Sequence, residues 1–257
     1  YSIVAELGSV SSGLSSTVTG RPTAFSCTPS YNGDTDPDLL AYYDFQGDLN
    51  DSSPANGRTA SASAWPYHLS NSGGTIRFPA GCSDGLAGYF DSSSGYAHND
   101  NLNDNTTGNL FASGNFTISF WFRADADTPN SNYASFMSSR YVPDTGNDSN
   151  IWSWQLDVDS NRKIRWRAGR GDANGDREVI TSNPNFKYNA DDWTQATYVK
   201  HDNDTVEIYV DGDLKKTGSQ ADTPLYALKI GTNRREAWHW KGYIDEFKVY
   251  GRALTQN

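Results

Sequence analysis

The sequence predicts an all-β fold, a sandwich of two antiparallel sheets. Short apolar runs alternate with clusters of Gly, Asn, Asp and Ser about every ten residues, as strands and turns do in such folds. Nowhere do apolar residues recur at helical spacing over several turns. Within the runs, apolar and polar residues alternate. Each strand therefore has one buried and one solvent-exposed face, which is typical of two antiparallel sheets packed around one core.

The N-terminal segment differs from the rest of the chain. Residues 1–38 are dominated by Ser, Thr, Gly, Pro and Asp, which predicts an irregular arm or linker with at most short strands. The strand pattern begins at Leu39. We therefore predict an arm over 1–38 and one β-sandwich domain over 39–257, with no second domain and no internal repeat.

The alternation assigns faces to individual strands. In the run 117–123, it predicts that Ile118, Phe120 and Phe122 point into the core, with Trp121 on the opposite, polar face. After the run that ends at Val210, Asp211-Gly212 predicts a hairpin turn. The later predicted core positions are Trp152, Trp154, Leu156, Val158, Ile164, Trp166, Val206, Ile208 and Val210.

Composition excludes several classes of function. The 257 residues carry 21 Lys and Arg against 31 Asp and Glu, a net charge of −10 that argues against a nucleic-acid partner. No apolar stretch approaches the roughly 20 residues of a membrane span. An aromatic content of 13% argues for a packed core rather than disorder.

The two cysteines predict an extracytoplasmic protein. Cys27 and Cys82 form an even count, which favours a disulfide, with two buried free thiols as the alternative. The sequence begins at Tyr1, without an initiator Met or a signal peptide, so we expect a mature chain or a domain of a larger multidomain protein. We predict a secreted or cell-surface location.

Several short segments occur in a recognisable order. Together they resemble laminin-G-like, concanavalin A-like jelly-roll domains from about Leu39 to Leu254. This resemblance implies a concanavalin A-like jelly roll, a fold shared by lectins, carbohydrate-binding modules, adhesion domains and polysaccharide hydrolases and lyases. The segments are Tyr43-Asp44-Phe45, Gly88-Tyr89-Phe90-Asp91, Asn115-Phe116-Thr117-Ile118-Ser119-Phe120-Trp121, Asp192-Trp193-Thr194, Ile208-Tyr209-Val210-Asp211-Gly212, and Gly242-Tyr243-Ile244-Asp245-Glu246-Phe247.

The enzymatic members of this fold suggest two catalytic patterns. A hydrolase would present paired carboxylates along one strand, but Gln155 stands where the partner of Asp157 is expected. A lyase would use Arg, Gln, His and Tyr on the concave sheet, and Arg165, Arg167, Gln155 and Tyr209 are predicted to share a polar face. The lyase motifs are absent. We predict no catalytic residues and keep both activities as alternatives.

Calcium is the predicted cofactor. Related sugar-active jelly rolls hold a structural cation with an aspartate at the position of Asp245, and the facing segment here carries Asp44 and Asp51. A second possibility is the loop Asp144 to Asn150 with Asp148, which resembles a pentraxin calcium loop. A third is the run Asp172 to Asp176.

Sugar binding needs flat aromatic surfaces with polar neighbours. The segment from Arg234 to Trp240 falls between two predicted strands, and it places Trp238 beside Arg234, Arg235 and His239. Trp240 is expected to pack inward. Trp121, on the polar sheet face, is the second candidate for a sugar contact.

We therefore predict a carbohydrate-binding or adhesion module that recognises a polysaccharide or cell-surface glycan without cleaving it. The alternatives are a polysaccharide lyase or glycoside hydrolase on the concave sheet, and an adhesion domain that binds protein.

Overall fold

The structure confirms an all-β architecture. The computed structural model describes residues 6–7, 10–11, 36–53, 67–82, 85–100, 115–126, 128, 134–140, 152–170, 177–181, 188–220, 227–233 and 235–255, and these residues contain no helix. In this part of the chain there is accordingly no helix able to cross a bilayer. The strands are β1 (Glu6–Leu7), β2 (Val10–Ser11), β3 (Leu39–Tyr43), β4 (Ser70–Ser72), β5 (Gly88–Asp91), β6 (Tyr96–Asn99), β7 (Phe116–Ala124), β8 (Ala134–Arg140), β9 (Trp152–Val158), β10 (Ile164–Arg170), β11 (Arg177–Thr181), β12 (Thr194–Lys200), β13 (Thr205–Val210), β14 (Asp213–Ser219), β15 (Leu228–Ile230) and β16 (Lys241–Tyr250).

The strands from β3 onward form two antiparallel sheets. The first sheet has the order β11-β10-β9-β8-β15-β6-β4. The second has the order β14-β13-β12-β7-β16-β3, and β5 also pairs with β16. The short strands β1 and β2 pair with each other. This is the two-sheet sandwich that the sequence predicts.

The inner faces of the two sheets meet in an aromatic core. Ile118, Phe120 and Phe122 of β7 are fully buried, as predicted from the alternation. Across from them, the rings of Trp154 and Trp166 stack with centroids 5.3 Å apart. The other predicted core positions with described side chains are also buried: Leu156, Val158, Ile164, Val206, Ile208 and Val210. The side chain of Trp152 lies outside the described part of the chain.

The predicted hairpin turn joins β13 to β14. Asp211 and Gly212 have φ values of 50° and 78°, and Val210 pairs with Asp213 across the turn. Positive φ at both central residues matches the twist of the flanking strands. The Asp-Gly prediction is therefore confirmed.

Candidate functional site

The outer face of the first sheet carries a connected group of polar side chains. The register of β9 and β10 places Asp157 opposite Arg165 and Gln155 opposite Arg167. On its other side, β9 pairs with β8, which places Ser135 opposite Asp157. Because successive side chains in a strand point to opposite faces, all of these residues point away from the core.

Asp157 is the centre of this group. The Nε atoms of Arg165 and Arg167 donate to its two carboxylate oxygens at 2.7 Å each. The amide nitrogen of Gln155 donates to Asp157 at 2.7 Å and to the hydroxyl of Ser135 at 2.6 Å. Burial raises the pKa of Asp157, and the two guanidinium groups oppose that shift. The predicted polar face thus contains a buried hydrogen-bond network, in which Asp157 fixes the orientation of the guanidinium groups of Arg165 and Arg167.

The loop of residues 231–240, between β15 and β16, lies over this face. The hydroxyl of Ser138 donates to the carbonyl of Thr232 at 3.1 Å, and the backbone amide of Ser135 donates to the carbonyl of Trp238 at 2.9 Å. The ammonium of Lys229 binds the carboxylate of Glu236 at 2.6 Å. These contacts tie both ends of the loop to the first sheet.

Trp238 is the exposed aromatic residue of this loop. It is 42% exposed, and the guanidinium carbon of Arg167 lies 5.7 Å from its ring centroid. Its φ is 55°, a left-handed conformation that is an outlier for a bulky side chain. Holding such a residue costs on the order of 1–3 kcal/mol, and such strain clusters at ligand-contact sites. The conformation presents the ring to solvent above the arginine.

The outer face of the first sheet also carries ionisable groups on β15 and β6. Register places Lys229 of β15 opposite His98 of β6. The Lys229 ammonium lies 5.4 Å from the ring centroid of Tyr96. A hydrogen bond from Lys229 lowers the pKa of Glu236, and burial lowers the pKa of His239. The face therefore offers both hydrogen-bond donors and acceptors beside the exposed ring.

The structure brings together most of the residues predicted to contact sugar. Trp238 and Arg235 are exposed on the loop, and His239 is half-buried with its ring centroid 6.4 Å from that of Tyr96. Arg234 lies outside the described residues. Trp240 is fully buried, as predicted.

Two residues lie on the opposite side of the sandwich. Trp121 is on β7 of the second sheet and is only 9% exposed, so it does not join Trp238 in one site. Tyr209 is on β13 of the second sheet, where its hydroxyl donates to Glu207 at 2.8 Å. The prediction that Tyr209 shares a face with Arg165 is therefore wrong. Alternation tells inside from outside but does not tell which sheet a strand joins.

The predicted calcium ligands are engaged mainly with backbone amides. Asp51 accepts three of them, at 2.9 to 3.0 Å. Asp245 is 4% exposed and accepts the amides of Cys82 and Glu246 at 3.3 and 2.9 Å. Asp148 lies outside the described residues. Within the described ranges, no three carboxyl, imidazole or thiol side chains are placed to hold one metal ion. The calcium site predicted at Asp44, Asp51 and Asp245 stays a prediction.

The predicted disulfide has one end in the described structure. Cys82 lies in the segment that crosses the outer face of the second sheet at Asp245, whereas Cys27 lies outside the described residues. The pairing of Cys27 with Cys82 stays a prediction.

Comparison with known proteins agrees with this architecture. A family model described as the concanavalin A-like lectin/glucanases superfamily matches residues 90–257. Domain 4 of an extracellular arabinanase from Geobacillus stearothermophilus, solved with arabinotriose, is similar with a TM-score of 0.57 at 19% identity, covering 85% of this chain and 95% of that one. No curated protein matches the sequence.

The binding domains of botulinum neurotoxins have the same architecture. The serotype D domain has a TM-score of 0.59 at 16% identity, covering 86% of this chain and 50% of that one. The serotype G domain has a TM-score of 0.56 at 19% identity, covering 85% of this chain and 49% of that one. This chain thus spans about half of each toxin domain. At these identities the similarity shows the fold alone.

Proposed function

The chain belongs to the concanavalin A-like lectin/glucanase superfamily. We propose that it is a non-catalytic module that binds a polysaccharide or cell-surface glycan. We place its sugar contact at Trp238, on the outer face of the first sheet. We further propose that it acts outside the cytoplasm, as part of a secreted or cell-surface protein. The arabinotriose bound to the related arabinanase domain motivates the choice of ligand class to test.

The conformation of Trp238 carries this proposal. Trp238 combines a φ of 55°, which is costly for a bulky side chain, with a side chain that remains 42% exposed. A sugar that stacks on the exposed part of the ring would add to the contacts that the ring already makes, including that with Arg167. The ring is already oriented by Arg167 at 5.7 Å, so little conformational entropy is lost on binding.

The neighbouring side chains support a saccharide as that ligand. Sugars present apolar ring faces for stacking and hydroxyl groups that both donate and accept hydrogen bonds. Exposed Arg235 and Glu236 precede Trp238 on the same loop and supply a donor and an acceptor, although one oxygen of Glu236 already binds Lys229. A single stacked ring gives modest affinity, so we expect tight binding to depend on repeated sites in the ligand or the parent protein.

We expect Trp238→Ala to lower the affinity for the best glycan on an array by about tenfold, the equivalent of about 1.4 kcal/mol. The free energy of unfolding should change by less than about 1 kcal/mol, because Trp238 is 42% exposed and lies outside the buried core. The matched control is Leu214→Ala, since Leu214 is 46% exposed but lies on β14 of the second sheet. Equal glycan affinity of both variants and the unmodified chain would contradict the proposal.

A polysaccharide lyase is the second candidate function. Cross-strand register aligns Arg167, Gln155, Ser138, Lys229 and His98 in one row on the face that also carries Tyr96. Arg, Gln, His and Tyr are the residue types that this chemistry requires. In this structure, however, Arg167 and Gln155 both donate to Asp157. Ultraviolet detection of unsaturated sugar products, with turnover lost in His98→Ala, would favour the lyase over the binding module.

Calcium binding is a further proposal, and Asp245 provides its test. Burial raises the pKa of Asp245 to about 7, and the charges of Glu246 and Asp44 add to this shift. Because the folded state holds the proton more tightly than the unfolded chain, the stabilisation is complete below about pH 4 and is lost as the pH rises through 7. A bound cation would favour the ionised form and reverse this trend.

We therefore expect Asp245→Asn to flatten the metal-free dependence of unfolding free energy on pH between pH 4 and 8, an effect on the order of 4 kcal/mol. Denaturant unfolding at several pH values measures this dependence. Asp202→Asn is the control, because Asp202 is exposed in a turn. An unchanged dependence in Asp245→Asn would disprove the assignment. Stabilisation by calcium that grows with pH and disappears in Asp245→Asn would support a cation at this position.

A further inference from the structure

The outer face of the second sheet carries a row of arginine and aromatic side chains. Arg77 is bridged to Tyr89 of β5, Tyr89 pairs with Tyr243 of β16, and Tyr243 pairs with Arg123 of β7. Trp193 follows, immediately before β12, the next strand of the sheet. We call these five residues the arginine–aromatic row. It crosses the strands on the side of the sandwich opposite Trp238.

The side chains of this row stack on one another. The guanidinium carbon of Arg123 lies 4.0 Å from the ring centroid of Tyr243 and 5.4 Å from that of Trp193. The guanidinium carbon of Arg77 lies 4.5 Å from the centroid of Tyr89. The rings of Tyr89 and Tyr243 meet edge to face at 4.9 Å. Both guanidinium groups are therefore held in defined planes against aromatic rings.

Neither guanidinium forms an ion pair with another described residue of the chain. The nearby carboxylate of Asp125 accepts the hydroxyl of Tyr89 at 2.7 Å. Asp91 accepts the amide and hydroxyl of Ser93, and these hydrogen bonds lower its pKa, with a smaller contribution from the charge of Arg77. Arg123 is half-buried, so its charge is partly removed from water. Elsewhere in the described chain, Arg165, Arg167 and Arg252 each form ion pairs with aspartates.

The arrangement of side chains in the arginine–aromatic row determines which class of ligand it can bind. Because the guanidinium groups already cover ring faces, the row offers a sugar little flat aromatic surface. It offers instead the in-plane N–H donors at the edges of two fixed guanidinium groups, which match carboxylate and sulfate oxygens. The backbones of Arg77 and Arg123 are three strand spacings apart, roughly 14 Å, and their guanidinium groups lie against different rings, so one small anion is not expected to reach both.

From these observations we infer that the arginine–aromatic row is a second ligand surface that binds an acidic polysaccharide, a chain with repeated carboxylate or sulfate groups. This surface is independent of the site at Trp238. It would allow the domain to hold an anionic polymer while the other face contacts a sugar ring.

Binding of fluorescent dextran sulfate, with neutral dextran as the uncharged probe, tests this inference. We expect Arg77→Gln and Arg123→Gln each to weaken dextran sulfate binding about tenfold, the loss of one charge-assisted hydrogen bond. Lys216→Gln removes a charge from exposed β14 of the same sheet and should have little effect. Added salt should weaken binding of the unmodified chain.

Additional variants and a second anionic polymer distinguish the possible outcomes of this experiment. Trp238→Ala should leave dextran sulfate binding unchanged. This expectation holds even if Trp238 binds no glycan, so the two proposals can fail separately. Arg77 is exposed, so Arg77→Gln should fold normally even if Arg123→Gln does not. No dextran sulfate binding by the unmodified chain, or equal losses in Lys216→Gln and Arg77→Gln, would overturn the inference. Poly-glutamate binding as tight as dextran sulfate, with the same sensitivity to Arg77→Gln, would overturn the choice of a glycan in favour of an acidic protein.

Discussion

Replacing Asp157 with asparagine should lower the free energy of unfolding by about 3–5 kcal/mol, the usual cost of removing one partner from a buried ion pair. Asp157 is fully buried, and Arg165 and Arg167 each donate to it at 2.7 Å. Asparagine has nearly the same shape but no charge, and its amide nitrogen would meet a donor. Two buried cations would then face each other without their carboxylate.

Denaturant unfolding of Asp157→Asn beside Asp213→Asn measures this effect. Asp213 also forms an ion pair, with Lys215 at 3.0 Å, but its side chain is 74% exposed. A surface pair contributes at most about 1 kcal/mol, so this control should remain close to the unmodified chain. Equal losses in the two variants would show that the Asp157 network does not stabilise the fold as the structure implies.

Replacing Trp154 with alanine should cost about 3–5 kcal/mol, because it opens a large cavity between the sheets. The ring of Trp154 is almost fully buried and stacks on Trp166 with an interplanar angle of 9°. It also stacks on Phe116 of the facing sheet, with centroids 5.8 Å apart. The substitution therefore removes contacts that join the two sheets.

Urea unfolding gives the loss directly, and Trp154→Phe keeps an aromatic ring in the same place. We expect the phenylalanine variant to retain more than half of the stability that the alanine variant loses, because most of the space stays filled. A loss in Trp154→Ala no larger than that in Trp238→Ala would show that Trp154 is not a core residue.

The two-sheet architecture could be predicted from the sequence, because the alternation of apolar and polar side chains along a strand is a local property. Ile118, Phe120 and Phe122 alternate with polar neighbours, and the alternation directly gave their burial. It did not give the pairing of distant strands. Lys229 and His98 are far apart in sequence and come together only through the pairing of β15 with β6, so their place in the candidate site was not predicted.

The same limit explains the residues that were placed differently. Trp121 has a polar-face position in its strand, yet it is nearly buried, because a residue on an outer face can still be covered by other segments. Asp51 was predicted to face Asp245 as a cation ligand, and the backbone amides that its oxygens accept are contacts that the sequence did not predict. The exposure of Trp238 was predicted from its loop. Its left-handed backbone was not, because no glycine or asparagine marks the position.

The central claim is that Trp238 contacts a sugar, and a crystal structure of the chain soaked with the oligosaccharide that binds best on a glycan array tests it most directly. We expect a sugar ring stacked on the exposed face of Trp238, with hydrogen bonds to Glu236 or Arg235. A bound oligosaccharide that makes no contact with Trp238 would contradict the claim.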